Sequence, residues 1–302
     1  MGFDTSHALP PLRIRDLTLE WGRRTYVMGI MNVTPDSFSG DGLIQTGDVE
    51  QDLSEIAETA LAMVADGADI LDVGGESTRP GATPISAREE LARVIPAIRA
   101  IRAAVDVPIS IDTYRATVAS AAIEVGADLV NDVWGLRFDP QMAHVVAESG
   151  LPVVIMHNRS RPRDARQEQR LGGHYVGVTY DDLLADVAAE LQAQVSVGLA
   201  AGIARERIIL DPGIGFGKTV AQNMQLLRHA GELRELGYPL LIGASNKSFI
   251  GHTLGLPPNQ RVEGSLAAIG MAIVQGAADI VRVHSVRPTV RYVRTLDAIL
   301  RA

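Results

Sequence analysis

The stretch GADILDVGG, residues 67–75, decides how this chain is read, because it returns as GADLVNDVWG at 126–135 and, with one inserted Ala, as GAADIVRVH at 276–284. Each copy follows an amphipathic segment such as IAETALAMVADG, so the Gly stops a helix and the apolar run after the Asp begins a buried strand. Working outward, short apolar runs that end in a polar residue begin at Tyr26 (YVMGIMN), Ile70 (ILDVGG), Ile109 (ISIDT), Leu129 (LVND), Val153 (VVIMH), Ile208 (IILD), Leu240 (LLIGAS) and Ile280 (IVRVH). Helical spacing fills the intervals around 51–66, 89–104, 181–201, 264–275 and from 288 to the end. Strands and helices in this alternation predict an α/β fold, a single (β/α)8 TIM barrel.

An open, doubly wound parallel sheet would show the same alternation. Two features weigh against it. The unit runs the whole length without a break in composition, and polar residues close nearly every strand instead of clustering at one switch point. Before Tyr26, LRIRDLTLEW at 12–21 alternates as a short hairpin that would close the barrel's bottom. The expected organisation is an N-terminal segment over 1–25 and one barrel domain over 26–302.

The 28 Lys and Arg against 36 Asp and Glu give a formal charge of −8, which opposes binding to nucleic acid or to anionic membranes. Small molecules are the expected partners, with any anion held in a local basic pocket. The chain has no Cys, which excludes disulfides, thiolate nucleophiles and Cys-ligated metals. Its start, MGFDTSHALPPL, lacks the basic flank and apolar run of a signal peptide, so the expected location is cytoplasmic. DPGIGFGKT at 211–219 is not a P-loop, because Pro212 stands where a Gly is needed, and Lys218 stands where the dinucleotide fingerprint needs its third Gly. The run Arg159, Arg161, Arg163, Arg166 and Arg170 lacks interleaved aromatics and reads as a mobile loop after the fifth strand.

A barrel converges the C-terminal ends of its strands on one mouth, so Asn32, Asp112, Asn131, Asp132, His157, Asp211, Lys247, Arg282 and His284 are expected to meet there. Singly, an Asp after a strand is commonly the N-cap of the next helix, and Asp72 and Asp132 are assigned to capping or supporting roles. Collectively, so many polar groups need partners, since each left buried alone costs about 1–3 kcal/mol. Carboxylates, amides and a Lys suit a planar heterocycle with paired donors and acceptors. The Arg and His side chains suit an anion of phosphate size, aided by Arg79 in the turn GGESTRPGA.

At this point MNVTPDSFSGDG from Met31, DVGGESTRPGA from Asp72, SIDTYR from Ser110, LVNDVWG from Leu129, ILDPGIGFGK from Ile209, GASNKSFIG from Gly243 and IVRVHSV from Ile280 closely resemble the dihydropteroate synthases of folate biosynthesis, in the family's order. The resemblance implies a transferase that condenses 6-hydroxymethyl-7,8-dihydropterin pyrophosphate with p-aminobenzoate, using Mg²⁺. By matched motif it implies Asp112, Asn131, Asp211 and Lys247 on the pterin, and Asn32, Arg79, Arg282 and His284 on the pyrophosphate. Asn32 would also meet the metal. Phe38, Thr78, Pro80, Phe216 and Ser245 would shape the p-aminobenzoate pocket, and Asp36, Asp112, Lys247 and Arg282 would be the catalytic set. A homodimer is the implied assembly. A methyltransferase on a similar barrel is disfavoured, because it would need neither STRPG nor the phosphate-directed Arg and His. One position departs: the family usually has Ser-Arg-Lys-Ser where this chain has Ser245-Asn246-Lys247-Ser248. Loss of that planar cation makes a non-catalytic pterin-binding paralogue the alternative.

Overall fold

In the computed structural model, which describes residues 9–34, 42–44, 49–78, 82–161, 164–166, 168 and 170–302, all eight apolar runs are strands of one parallel sheet. A hairpin, β1 (Leu12–Ile14) and β2 (Leu17–Leu19), precedes the barrel strand β3 (Tyr26–Asn32). Then come α1 (Val49–Ala65), β4 (Ile70–Gly74), α2 (Ala87–Ala104), β5 (Ile109–Asp112), α3 (Ala116–Glu124), β6 (Leu129–Asp132), α4 (Met142–Ser149) and β7 (Val153–Met156). A two-residue pair, β8 (Ala165–Arg166) and β9 (His174–Tyr175), leads to α5 (Leu183–Ala200), β10 (Ile208–Asp211) and α6 (Val220–Arg228). β11 (Leu241–Ile242), α7 (Ser248–Leu254), α8 (Val262–Val274), β12 (Ile280–Val283) and α9 (Val286–Leu300) complete the chain. The sheet runs β10-β7-β6-β5-β4-β3-β12-β11, and a parallel bridge between Leu210 and Leu240 brings its two edges together. The Leu210 N–H donates to Pro239 O at 2.9 Å there, so the barrel closes.

Two local features escaped the periodicity. α3, α4, α6 and α7 are 7 to 9 residues long, too short for an apolar stripe to repeat more than twice. The segment after β7 carries the β8–β9 pair, where the run of Arg residues reads as plain loop. The long apolar helix α5 packs Leu183, Val187, Leu191 and Val195 into the core.

Strand periodicity divides the side chains into two layers. Leu71, Val73, Ile109, Ile111, Val130, Val153, Ile155, Ile208, Leu210 and Val281 face the helices and form the main core. Residues of the other phase point into the barrel. At its bottom Met28, Ile70, Leu129, Val154, Ile209, Leu241 and Ile280 pack with Leu12, Ile14 and Leu19 of the hairpin, which seals that end. Continuing the inward phase toward the strand ends reaches Asp72, Asp112, Asn131, Asp211 and Arg282, so one register lays an apolar plug below and chemistry above.

Candidate active site

Arg282 organises the mouth. Its Nε donates to Asp72 Oδ2 at 2.5 Å and one terminal nitrogen donates to Asp112 Oδ2 at 2.5 Å, so a single guanidinium bridges β4 and β5 from β12. Asn131 adds its amide, which donates to Asp72 Oδ2 at 3.3 Å. Asp72 is 0% exposed, and a lone buried carboxylate would be prohibitive without this guanidinium. Burial works against the Arg282 charge, yet the Asp72 and Asp112 carboxylates overcome it and raise its pKa above the ordinary value. Burial raises Asp112 to about 7, with Arg282 opposing that shift and the Asp72 charge adding to it. The second oxygen of Asp112, Oδ1, is buried and has no hydrogen-bond partner, which leaves an acceptor for a ligand N–H.

The opposite side of the mouth comes from β10 and β11. Asp211 is buried and accepts the Gly213 N–H at 2.7 Å through Oδ1. Burial raises its pKa, and the Gly213 N–H and Lys247 oppose the rise. Lys247 is the residue that leads into α7, and its ammonium sits 4.0 Å from the centre of the Phe216 ring. Ser245 is buried, with its hydroxyl 3.0 Å from His284 Nδ1 and accepting the His284 N–H at 3.2 Å. Phe216 joins Trp134, Tyr114, Val133 and Met156 in a separate apolar cluster.

The structure therefore brings together Asp112, Asn131, Asp211, Lys247, Phe216, Ser245, Arg282 and His284. Asn32 ends β3 half-buried, and Thr78 follows β4 half-buried. Asp36, Phe38, Arg79 and Pro80 lie outside the described residues. Asp132 occupies the outward phase and accepts the N–H groups of Trp134 and Leu136 at 2.8 and 2.7 Å, which fastens the turn after β6 and caps no helix, since α4 begins only at Met142. Asp72 takes the supporting one of the two roles expected of it: it faces inward and fixes Arg282 and Asn131. Its phase relative to Ile70 is the signal that separates it from Asp132.

His157 does not reach the mouth constellation. It is fully buried, with Nδ1 2.9 Å from Lys218 Nζ and Nε2 3.1 Å from Glu190. Burial lowers His157 to about 4, helped by Lys218, and lowers Lys218 itself to about 7, so the neutral ring accepts from the Lys218 amino group. Lys218 also donates to Gly213 O at 3.0 Å and Phe216 O at 3.1 Å, and thereby holds the turn that presents Phe216. Sequence reading dismissed that Lys along with the P-loop. Gly213 makes the turn possible, since φ is +70° and a β-carbon would lie 1.8 Å from the His157 carbonyl oxygen. Gly213→Ala is expected to cost about 3 kcal/mol by backbone strain and collision, read from urea denaturation.

Asn246 has φ +53°, a left-handed backbone that Asn tolerates better than most residues. Its N–H donates to Ser265 Oγ at 2.9 Å and its Oδ1 lies 3.3 Å from the same hydroxyl, so the side chain serves the turn into α7. Arg261, 1% exposed, donates to Asn246 O at 3.0 Å and Lys247 O at 3.2 Å and steadies the same turn.

A family model described as pterin binding enzyme matches residues 28–284. A dihydropteroate synthase from Synechocystis is 46% identical over 293 residues, covering 97% of this chain and 96% of that protein. The crystal structure of the Yersinia pestis dihydropteroate synthase with a sulfonamide drug superposes with a TM-score of 0.86 at 40% identity, covering 97% of this chain and 99% of that one. The Xanthomonas albilineans dihydropteroate synthase with 4-aminobenzoic acid gives 0.84 at 41% identity, with the same coverage.

Proposed function

The chain belongs to the pterin-binding enzyme family, and from that premise we propose that it is a transferase of folate synthesis with dihydropteroate synthase activity. It joins 6-hydroxymethyl-7,8-dihydropterin pyrophosphate to p-aminobenzoate and releases 7,8-dihydropteroate and pyrophosphate. The observation that carries this reading is the inward layer of Asp72, Asp112, Asn131, Asp211 and Arg282 with Lys247 above it, a donor-and-acceptor floor beside fixed cations.

In the reaction the bond between the pterin methylene and the pyrophosphate oxygen breaks, and its electron pair leaves with the pyrophosphate. The p-aminobenzoate nitrogen forms the new bond to that methylene carbon and releases a proton to solvent. Asp211 and Asp112 accept the ring N–H and amino groups, and Asn131 and Lys247 meet the remaining ring edge. Arg282 keeps N–H groups beyond those given to its carboxylates, and with His284 and Arg79 it stabilises charge on the leaving group. The proposal assigns Thr78, Phe216 and Ser245, with Phe38 and Pro80, to the aromatic amine, and Asp36 and Arg79 to keeping water from the reacting carbon. Asn32 offers an amide oxygen, a hard donor that fits Mg²⁺. When bound, Mg²⁺ supplies charge neutralisation at the pyrophosphate.

The test is direct: the purified chain with both substrates and Mg²⁺ forms dihydropteroate, and absence of product overturns the reading. Sulfonamide competing with p-aminobenzoate would locate the amine pocket. Asp112 accepts a ring N–H most strongly when ionised. With its pKa raised to about 7, kcat/KM is expected to fall as pH drops through 7 and to level off above it. A pH-independent profile between 5 and 9 would remove Asp112 from that role.

Because Asn246 faces Ser265, Asn246→Arg is expected to leave kcat within about threefold, a barrier change under about 0.7 kcal/mol. A rise of tenfold or more would mean that the native residue had disabled turnover. The proposal also includes a pair of chains, supported by the exposed apolar residues Met271 and Val274 on α8 and Ile299 on α9, and a cytoplasmic location. Light scattering of the purified chain checks the pairing.

A further inference from the structure

Glu168, His174 and His252, none of which belongs to the mouth constellation, each offer one potential ligand atom, and all three atoms lie within 4.8 Å of one another. His174 belongs to β9 and His252 to α7, so the cluster spans the segment after β7 and the helix that Lys247 leads into. The two imidazoles meet edge-on, with ring centres 4.5 Å apart and planes at 71°. Nδ1 of His174 and Nε2 of His252 are both buried and have no hydrogen-bond partner. The Glu168 carboxylate stands 3.7 Å from the other nitrogen of His252. Leaving two such nitrogens unpartnered costs about 1–3 kcal/mol each, and two histidine rings crowded together satisfy neither.

We propose that Glu168, His174 and His252 bind one divalent transition-metal ion of the zinc type, at a site separate from the catalytic mouth, and that the ion fastens the segment after β7 onto α7. The donor set fits: two imidazole nitrogens and one carboxylate oxygen are what zinc takes when it keeps a further position for water. Magnesium, which demands oxygen donors, is not served by it. The chain around Glu168 is held by contacts that do not depend on the ion. Gly172 N–H donates to Glu168 O at 2.9 Å, Arg170 donates to Gly255 O at 2.8 Å, and Arg261 donates to Leu171 O at 2.9 Å. Burial and the neighbouring His174 lower the His252 pKa, which favours the neutral ring that binds metal. Arg261 is the opposing positive charge nearby, and its guanidinium is directed at the carbonyls of Leu171, Leu256, Asn246 and Lys247.

The experiment uses the tag-free full chain, stripped with chelator and held in excess Mg²⁺ so that only a nitrogen-preferring site responds. Zn²⁺ titrated against a chromophoric competitor is expected to bind saturably at one equivalent and to raise the Tm. Glu168→Gln, His174→Gln and His252→Gln are each expected to weaken binding by about tenfold or more. A double variant of the exposed His144 and His229, which pair with Glu148 and Glu232, is expected to bind as the parent does. Lack of saturable binding by the parent, or undiminished binding by all three single variants, overturns the proposal. Should the variants misfold, Co²⁺ added to the parent chain decides: a strong visible band of a low-coordinate nitrogen-ligated ion supports the site, and the pale spectrum of a six-coordinate aquo ion overturns it.

Discussion

Lys247→Ala is expected to lower kcat by about tenfold or more and to raise KM for the pterin substrate, a loss of at least about 1.4 kcal/mol in the transition state. The ammonium lies on the Phe216 ring and in the field of the buried Asp112 and Asp211 carboxylates. Its removal strips the mouth of a cation that offsets two acids and of the group proposed to meet the pterin. Lys247→Arg would keep the charge and lose the compact shape that fits between Phe216 and the floor, so only partial recovery is expected. Steady-state kinetics with each substrate varied in turn reads both effects. An unchanged rate would mean that the pterin binds elsewhere.

Arg282→Met is expected to be more severe, because it strands the two carboxylates that this residue joins. Breaking a buried ion pair from one side costs about 3–5 kcal/mol, and Asp72 has no exposure through which water could compensate. Turnover is expected to fall below detection, since the cation that the proposed mechanism sets against the leaving group is gone as well. Adding Asp72→Asn should return part of the stability and none of the activity, which separates the structural contribution from the chemical one. Urea denaturation of the single and double variants reads the first, and product formation reads the second. A single variant as stable as the parent would show that the buried carboxylates do not depend on the Arg282 guanidinium.

The barrel is legible because each strand announces itself by its apolar run, and three of them a second time by the Gly-Ala-Asp phrase before them. The short helices are not, since α7 has only 7 residues and no periodicity can establish itself over so few. Among candidate site residues, Asp112 and Asp211 end their strands and Asn131 and Arg282 stand one residue before the end, which is the signal that singles them out. Asp72 stops two residues short of its strand's end and was set aside, although its phase with Ile70 already placed it inside the barrel. Lys218, Glu190 and Arg261 were invisible for a different reason. Their partners are the ring of His157 and backbone carbonyls brought together only by folding, and no spacing in the chain encodes such contacts. His157 was misplaced by the same gap: it follows β7 as a mouth residue should, yet its ring is bound to Lys218 and Glu190.

The alternation inside each strand also governs how this protein can change. Inserting or deleting one residue in β4 upstream of Asp72 would swing Asp72 into the helix layer and turn a Leu71 or Val73 side chain toward the ligands, so the core and the chemistry would fail together. A substitution at either phase disturbs only one of them. Divergence of this chain should therefore accumulate as replacements within the strands, with changes of length confined to the segments that follow them.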